Sequence, residues 1–92
     1  TVPAPRFALR GLTPNPSAGD PVVAFSLARD EPASLELFDI HGRLVLSREV
    51  GAAGAGVQSV RLDARGRLPA GVYTVRLRQG ASLATTRAVI VR

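Results

Sequence analysis

The sequence predicts an all-β domain, a seven-stranded antiparallel β-sandwich. Short segments rich in Val, Leu and Phe recur at intervals of about ten residues, bounded by Gly, Pro and Asp, which is the spacing of a sandwich or barrel. Within each segment apolar residues alternate with others, giving every strand one apolar face. No apolar pattern of helical period runs long enough to make a helix. The 92 residues allow one domain. A domain of that size buries roughly 60–65% of the surface its unfolded chain exposes, enough for a single two-layer core.

The first expected strand covers residues 7–12, alternating Phe7, Leu9 and Gly11. Residues 13–20 form a turn-rich loop in which Pro14 and Pro16 deny the ladder its donors. The second strand, residues 21–28, puts Val23, Phe25 and Leu27 on one face and Val22, Ala24 and Ser26 on the other. Asp30, Glu31 and Pro32 turn the chain into a third strand at 34–40. There Leu35 and Leu37 face one way, Glu36 and Phe38 the other. That mixed pair predicts a bulge or a partly covered second face. His41-Gly42 reads as a two-residue type I′ hairpin turn, where Gly adopts positive φ freely and His is enriched. The fourth strand follows at 43–50, then a Gly/Ala loop at 51–56. The fifth is expected at 57–63, with Val60 and Leu62 inward. After a loop at 64–71, the sixth strand at 72–78 alternates Tyr73, Val75 and Leu77 against Val72, Thr74, Arg76 and Arg78. Gln79-Gly80 turns the chain into the seventh strand, 82–91.

Composition restricts function. The twelve basic residues are all Arg, against seven acids, for a net charge of +5 and a pI near 11.5. Such a balance suits an anionic partner, nucleic acid or a lipopolysaccharide-like surface. Three Phe and one Tyr offer few platforms for bases, and no basic run reaches five residues, so no nucleic-acid partner is expected. Without Cys there is neither a disulfide framework nor a thiolate zinc site. A single His excludes multi-histidine metal sites, and no cofactor is expected. His41 is the sole candidate general base, with Asp39 two residues away and Ser47 in the next strand. No oxyanion motif accompanies it, and the turn role is preferred to a catalytic one. Asp20, Asp30, Glu31 and Asp63 lack calcium-loop spacing and read as solvated turn acids. No apolar run approaches the ~18 residues of a membrane helix. No segment combines a charged start with an apolar run of signal-peptide type. The missing Met and the Pro/Ala-rich opening predict a domain cut from a longer protein, near or at its C-terminus, with residues 1–6 the end of a stiff linker and 7–92 the folded unit.

Three stretches together resemble a known family. The first is Pro14-Asn15-Pro16 before the alternating strand at Val22. The second is Leu35-Glu36-Leu37-Phe38-Asp39-Ile40-His41-Gly42-Arg43-Leu44-Val45. The third is Leu68-Pro69-Ala70-Gly71-Val72-Tyr73-Thr74-Val75-Arg76-Leu77, then Gly80, Thr86-Arg87 and a last apolar strand ending at Arg92. Their order is similar to the type IX secretion system C-terminal sorting domain, type A, and to the related Ig-like domain of the flagellar hook-capping protein. Phe38 stands where the family often has Tyr, and Arg87 where Lys is common. Ser17-Ala18 replaces an aromatic of the hook-type relatives, which favours the sorting branch.

The resemblance implies an Ig-like or fibronectin III-like sandwich at the end of a larger cargo protein. It implies transit through the periplasm of a Gram-negative bacterium, recognition by outer-membrane secretion machinery, release by a sortase-like peptidase, and a secreted or cell-surface destination. The motif positions it marks for recognition are Asn15, Pro16, Asp39, Gly42, Arg43, Gly71, Tyr73, Gly80, Arg87 and Arg92. Several have a backbone reading too. Gly42 and Gly71 serve turns, and Tyr73 suits a tyrosine corner, packed inward with its hydroxyl on loop backbone. Arg61, Arg76 and Arg78, with Arg65 and Arg67 in the loop between, form one basic patch if the fifth and sixth strands are neighbours. That patch would either attract anionic lipopolysaccharide or suppress sheet aggregation. The alternative to sorting is an Ig-like assembly module that packs on its parent enzyme or self-associates by adding the low-charge strand at Ala88-Val89-Ile90-Val91 to a neighbour's edge. A carbohydrate-binding sandwich lacks the aromatics it would need.

Overall fold

Alternation in sequence becomes layering in space. In the computed structural model, which describes residues 6–12, 17–18, 22–51, 54–62 and 68–91, Val23, Phe25 and Leu27 are fully buried on one side of their strand. They face Leu35, Leu37, Tyr73, Val75 and Leu77 across the core. Burying each such side chain contributes roughly 1.5–3 kcal/mol. The strands are β1 (Ala8–Leu12), β2 (Ser17–Ala18), β3 (Val22–Leu27), β4 (Ser34–Phe38), β5 (Leu44–Glu49), β6 (Gly56–Arg61), β7 (Gly71–Gln79) and β8 (Ser82–Val91). They make a three-stranded sheet, order β1-β3-β6, and a five-stranded sheet, order β2-β8-β7-β4-β5. Seven of them pair antiparallel in open sheets, as a sandwich requires. No α-helix occurs among the described residues.

The expected strands are present, with three local differences. β2 lies in the loop expected at 13–20 and pairs parallel with Ile90 and Val91; two residues are too few to show any alternation. β4 stops at Phe38, short of Ile40, because Asp39 is drawn into the turn. Val60 is half-buried at the margin of the core, whereas Leu62 is buried within it.

The mixed face of β4 is accommodated in both of the ways expected. Its register against β5 shifts between Leu37 and Phe38. Arg76 covers its second face, with the guanidinium 4.6 Å from the Phe38 ring centroid and Nη2 2.7 Å from Glu36 Oε1.

Buried polar contacts fix the two ends of β7. At its start the Tyr73 hydroxyl donates to the Pro69 carbonyl at 2.6 Å, the tyrosine corner. At its end Gln79, expected in a turn, is 3% exposed. Its carboxamide accepts from the Arg29 backbone N–H and donates to the Arg29 and Glu31 carbonyls. This clamps the bend between β3 and β4. Gly51 packs against the same bend. A Cβ there would stand 2.5 Å from the Glu31 carbonyl oxygen and 2.7 Å from the Ala33 nitrogen.

The terminal apolar strand is not an open edge at its end. Ile90 and Val91 pair with β2, and Ile90 also pairs with Gly71 of β7. Ala88 and Ile90 are buried. Among the described residues, the edges without a further strand include β5 and β6.

Candidate recognition surface at the β4–β5 turn

Asp39 builds the turn. Its backbone N–H donates to the Arg43 carbonyl at 2.9 Å, and its carbonyl accepts from Gly42 N–H at 3.0 Å. Its carboxylate accepts from the backbone N–H groups of His41, at 2.9 Å, and Arg43, at 3.0 Å. The hairpin is therefore a three-residue loop with Ile40 and His41 central and Gly42 following at φ +82°. It is not the two-residue turn expected on His41-Gly42, because the Asp39 side chain satisfies donors that a shorter loop would leave to the ladder. The Arg43 N–H, and secondarily that of His41, hold the Asp39 carboxyl below the usual carboxylate range.

This turn overhangs the outer face of the five-stranded sheet. Register places Phe38, Thr74 and Arg87 in one row across β4, β7 and β8, and Glu36, Arg76 and Thr85 in the next. All of these but Glu36, together with Ile40 and Val72, line a shallow depression of about 570 Å³. Its apolar side chains are open to solvent: Ile40 is 75% and Val72 39% exposed. Its charged rim carries Arg76 and Arg87, with Arg43 in the turn above.

Of the motif positions, the fold brings Asp39, Gly42 and Arg87 to this depression. Arg43 lies in the same turn, and Gly71 precedes Val72. Others lie elsewhere. Tyr73 is buried at its corner, and Gly80 sits in the β7–β8 hairpin at the far end of the sheet. Asn15, Pro16 and Arg92 are outside the described residues.

The single basic patch does not form as expected. β6 and β7 belong to different sheets, so Arg61 faces out from the three-stranded sheet while Arg76 and Arg78 face out from the other. Arg65 and Arg67 lie outside the described residues. Asp20 and Asp63 do as well. His41 and Ser47 are exposed on the turn and on β5. No cluster of His, Asp or Glu that could hold a metal occurs among the described residues.

Sequence reasoning missed Ile40 and Val72. The available signal was an aliphatic residue between Asp39 and His41-Gly42, a position where turns ordinarily carry polar side chains.

Comparison with known sequences identifies the family of the domain. No curated protein matches the chain. The family described as "Secretion system C-terminal sorting domain" matches residues 12–92, a span that contains both sheets from the end of β1 onward. The chain thus belongs to the type IX secretion C-terminal sorting domains, a non-catalytic family.

Proposed function

We infer that this chain is the address by which a larger cargo protein crosses the outer membrane and reaches the cell surface. The supporting observation is the family match over residues 12–92 on a sandwich whose β4–β5 turn carries three of the motif residues, Asp39, Gly42 and Arg43. In this reading residues 1–6 are a linker to the cargo and 7–92 the sorting unit. The partners are the outer-membrane secretion machinery and a sortase-like peptidase. Anionic lipopolysaccharide is a further partner, drawn by the basic surface. The test is a reporter fused ahead of the chain in a type IX host. Export to the surface or medium supports the reading; a fusion retained in the periplasm of a competent host overturns it.

The edges of β5 and β6, open among the described residues, favour a second reading, assembly by strand addition. Sedimentation over a wide concentration range tests it, and a monomer throughout argues against it.

A further inference from the structure

The sorting reading leaves open which surface the machinery contacts and by what chemistry. Ile40 supplies the first observation. A large aliphatic side chain stands 75% exposed at the centre of a turn held by four hydrogen bonds. Such a side chain loses little freedom on docking, so its burial is not offset by ordering the loop. Phe38 and Val72 line the same depression, and exposed apolar surface gathered in this way marks interaction sites.

Charge is the second observation. Arg76 and Arg87 line the depression, with Arg43 in the turn above. The carboxylate in its lining, Asp39, accepts from backbone N–H groups, and Glu36, beside Arg76, is engaged by it. Three further acids, Asp30, Glu31 and Glu49, line a separate hollow at the opposite end of β4, where Arg29 pairs with Glu31. The depression therefore combines apolar side chains with two arginines in its lining.

We propose that the depression beneath the Asp39–Gly42 turn is the docking surface for the secretion machinery, and that it takes an extended protein segment carrying an aliphatic side chain beside a carboxylate. The aliphatic group sits against Ile40, Phe38 and Val72, and the carboxylate meets the arginine rim. Ile40 is the central anchor, the position at which interfaces concentrate their energy. The proposal rests on the sorting reading and gives it a location.

Val57 provides a matched control. It is 76% exposed, also aliphatic, and lies on β6 in the other sheet. Reporter fusions of the unaltered 92-residue chain and of Ile40→Asp, Arg43→Glu and Val57→Asp are compared for surface display, with circular dichroism and thermal unfolding checking that each folds. Ile40→Asp and Arg43→Glu are expected to lower display about tenfold, and Val57→Asp to leave it within about twofold. Display of Ile40→Asp at the unaltered level, or equal loss in Val57→Asp, overturns the docking surface while the sorting reading stands.

If the unaltered fusion is not exported, the sorting reading falls. A titration of the isotope-labelled chain then decides the surface. The probes are a peptide of alternating Asp and Leu, its counterpart with Lys for Asp, and lipopolysaccharide. Resonance shifts at Ile40, Val72 and Thr74 with the acidic peptide support the proposal. Shifts elsewhere, no shifts at millimolar peptide, or shifts with lipopolysaccharide alone overturn it.

Discussion

The Tyr73 hydroxyl reaches back four residues to the Pro69 carbonyl, at 2.6 Å, and ties the approach to β7 onto the strand itself. Tyr73→Phe keeps the buried ring and removes only this bond. It is expected to lower stability by about 0.5–1.5 kcal/mol, read as a shift in urea midpoint at unchanged slope. Because Tyr73 is buried and remote from solvent, the variant is expected to be exported like the parent. A selective export defect with normal stability would instead make Tyr73 a contact residue.

Gln79 satisfies three backbone groups of the β3–β4 bend from inside the fold. Gln79→Leu preserves apolar packing but leaves those groups without partners. A loss of about 1–3 kcal/mol is expected. Hydrogen exchange is expected to quicken first at Arg29, whose N–H the side chain holds. Unchanged exchange there would count against the clamp.

Gly51 and Gly71 make a contrasting pair. The Cβ of Gly51→Ala meets backbone at 2.5–2.7 Å, which a rotamer change cannot relieve, and about 1–3 kcal/mol of destabilisation is expected. At Gly71 nothing lies within 4 Å of the added carbon, and Gly71→Ala is expected to fall within about 0.5 kcal/mol of the parent. Thermal unfolding of both variants separates the two cases.

The turn beneath Ile40 is expected to depend on acid. The Asp39 carboxyl is held below its ordinary value by the N–H groups it accepts. Its contribution is therefore complete above that ordinary value and is lost as pH falls through the lowered one. A resonance titration is expected to show Asp39 protonating below 3.8, with the His41 and Arg43 amides moving alongside. Asp39→Asn retains an acceptor oxygen and loses the pH response. A response that persists in Asp39→Asn would assign it to another group.

Much of the fold was legible because one face of each strand is dry. The alternations Val23-Phe25-Leu27 and Tyr73-Val75-Leu77 state which side chains point inward, and the Leu-Pro turn before Tyr73 announces the corner. Sheet membership was less accessible. β6 pairs with β3 across a long stretch of chain, and nothing in a one-dimensional pattern says that it joins β3 rather than β7; the misplaced Arg61 follows from that. Gln79 next to Gly80 reads as a turn until the carbonyls it serves are seen. The turn motif around Asp39 and Gly42 was visible, but the depression beside it comes from rows that run across β4, β7 and β8, and no single segment contains it.

The pairing of Ser17 and Ala18 with Ile90 and Val91 joins nearly opposite ends of the chain, and this bears on how the domain folds. β4 has only β5 beside it until β7 arrives, and β1, β3 and β6 alone make a sheet whose apolar face is bare. The sandwich therefore completes only when β7 and β8 are present, and its reliance on pairings distant in sequence makes completion slow compared with locally connected folds. Until then Phe25, Leu27 and Leu35, which the two sheets bury between them, lack part of their cover. The last strand thus sets the moment at which the turn carrying Ile40 first has a sheet to stand on.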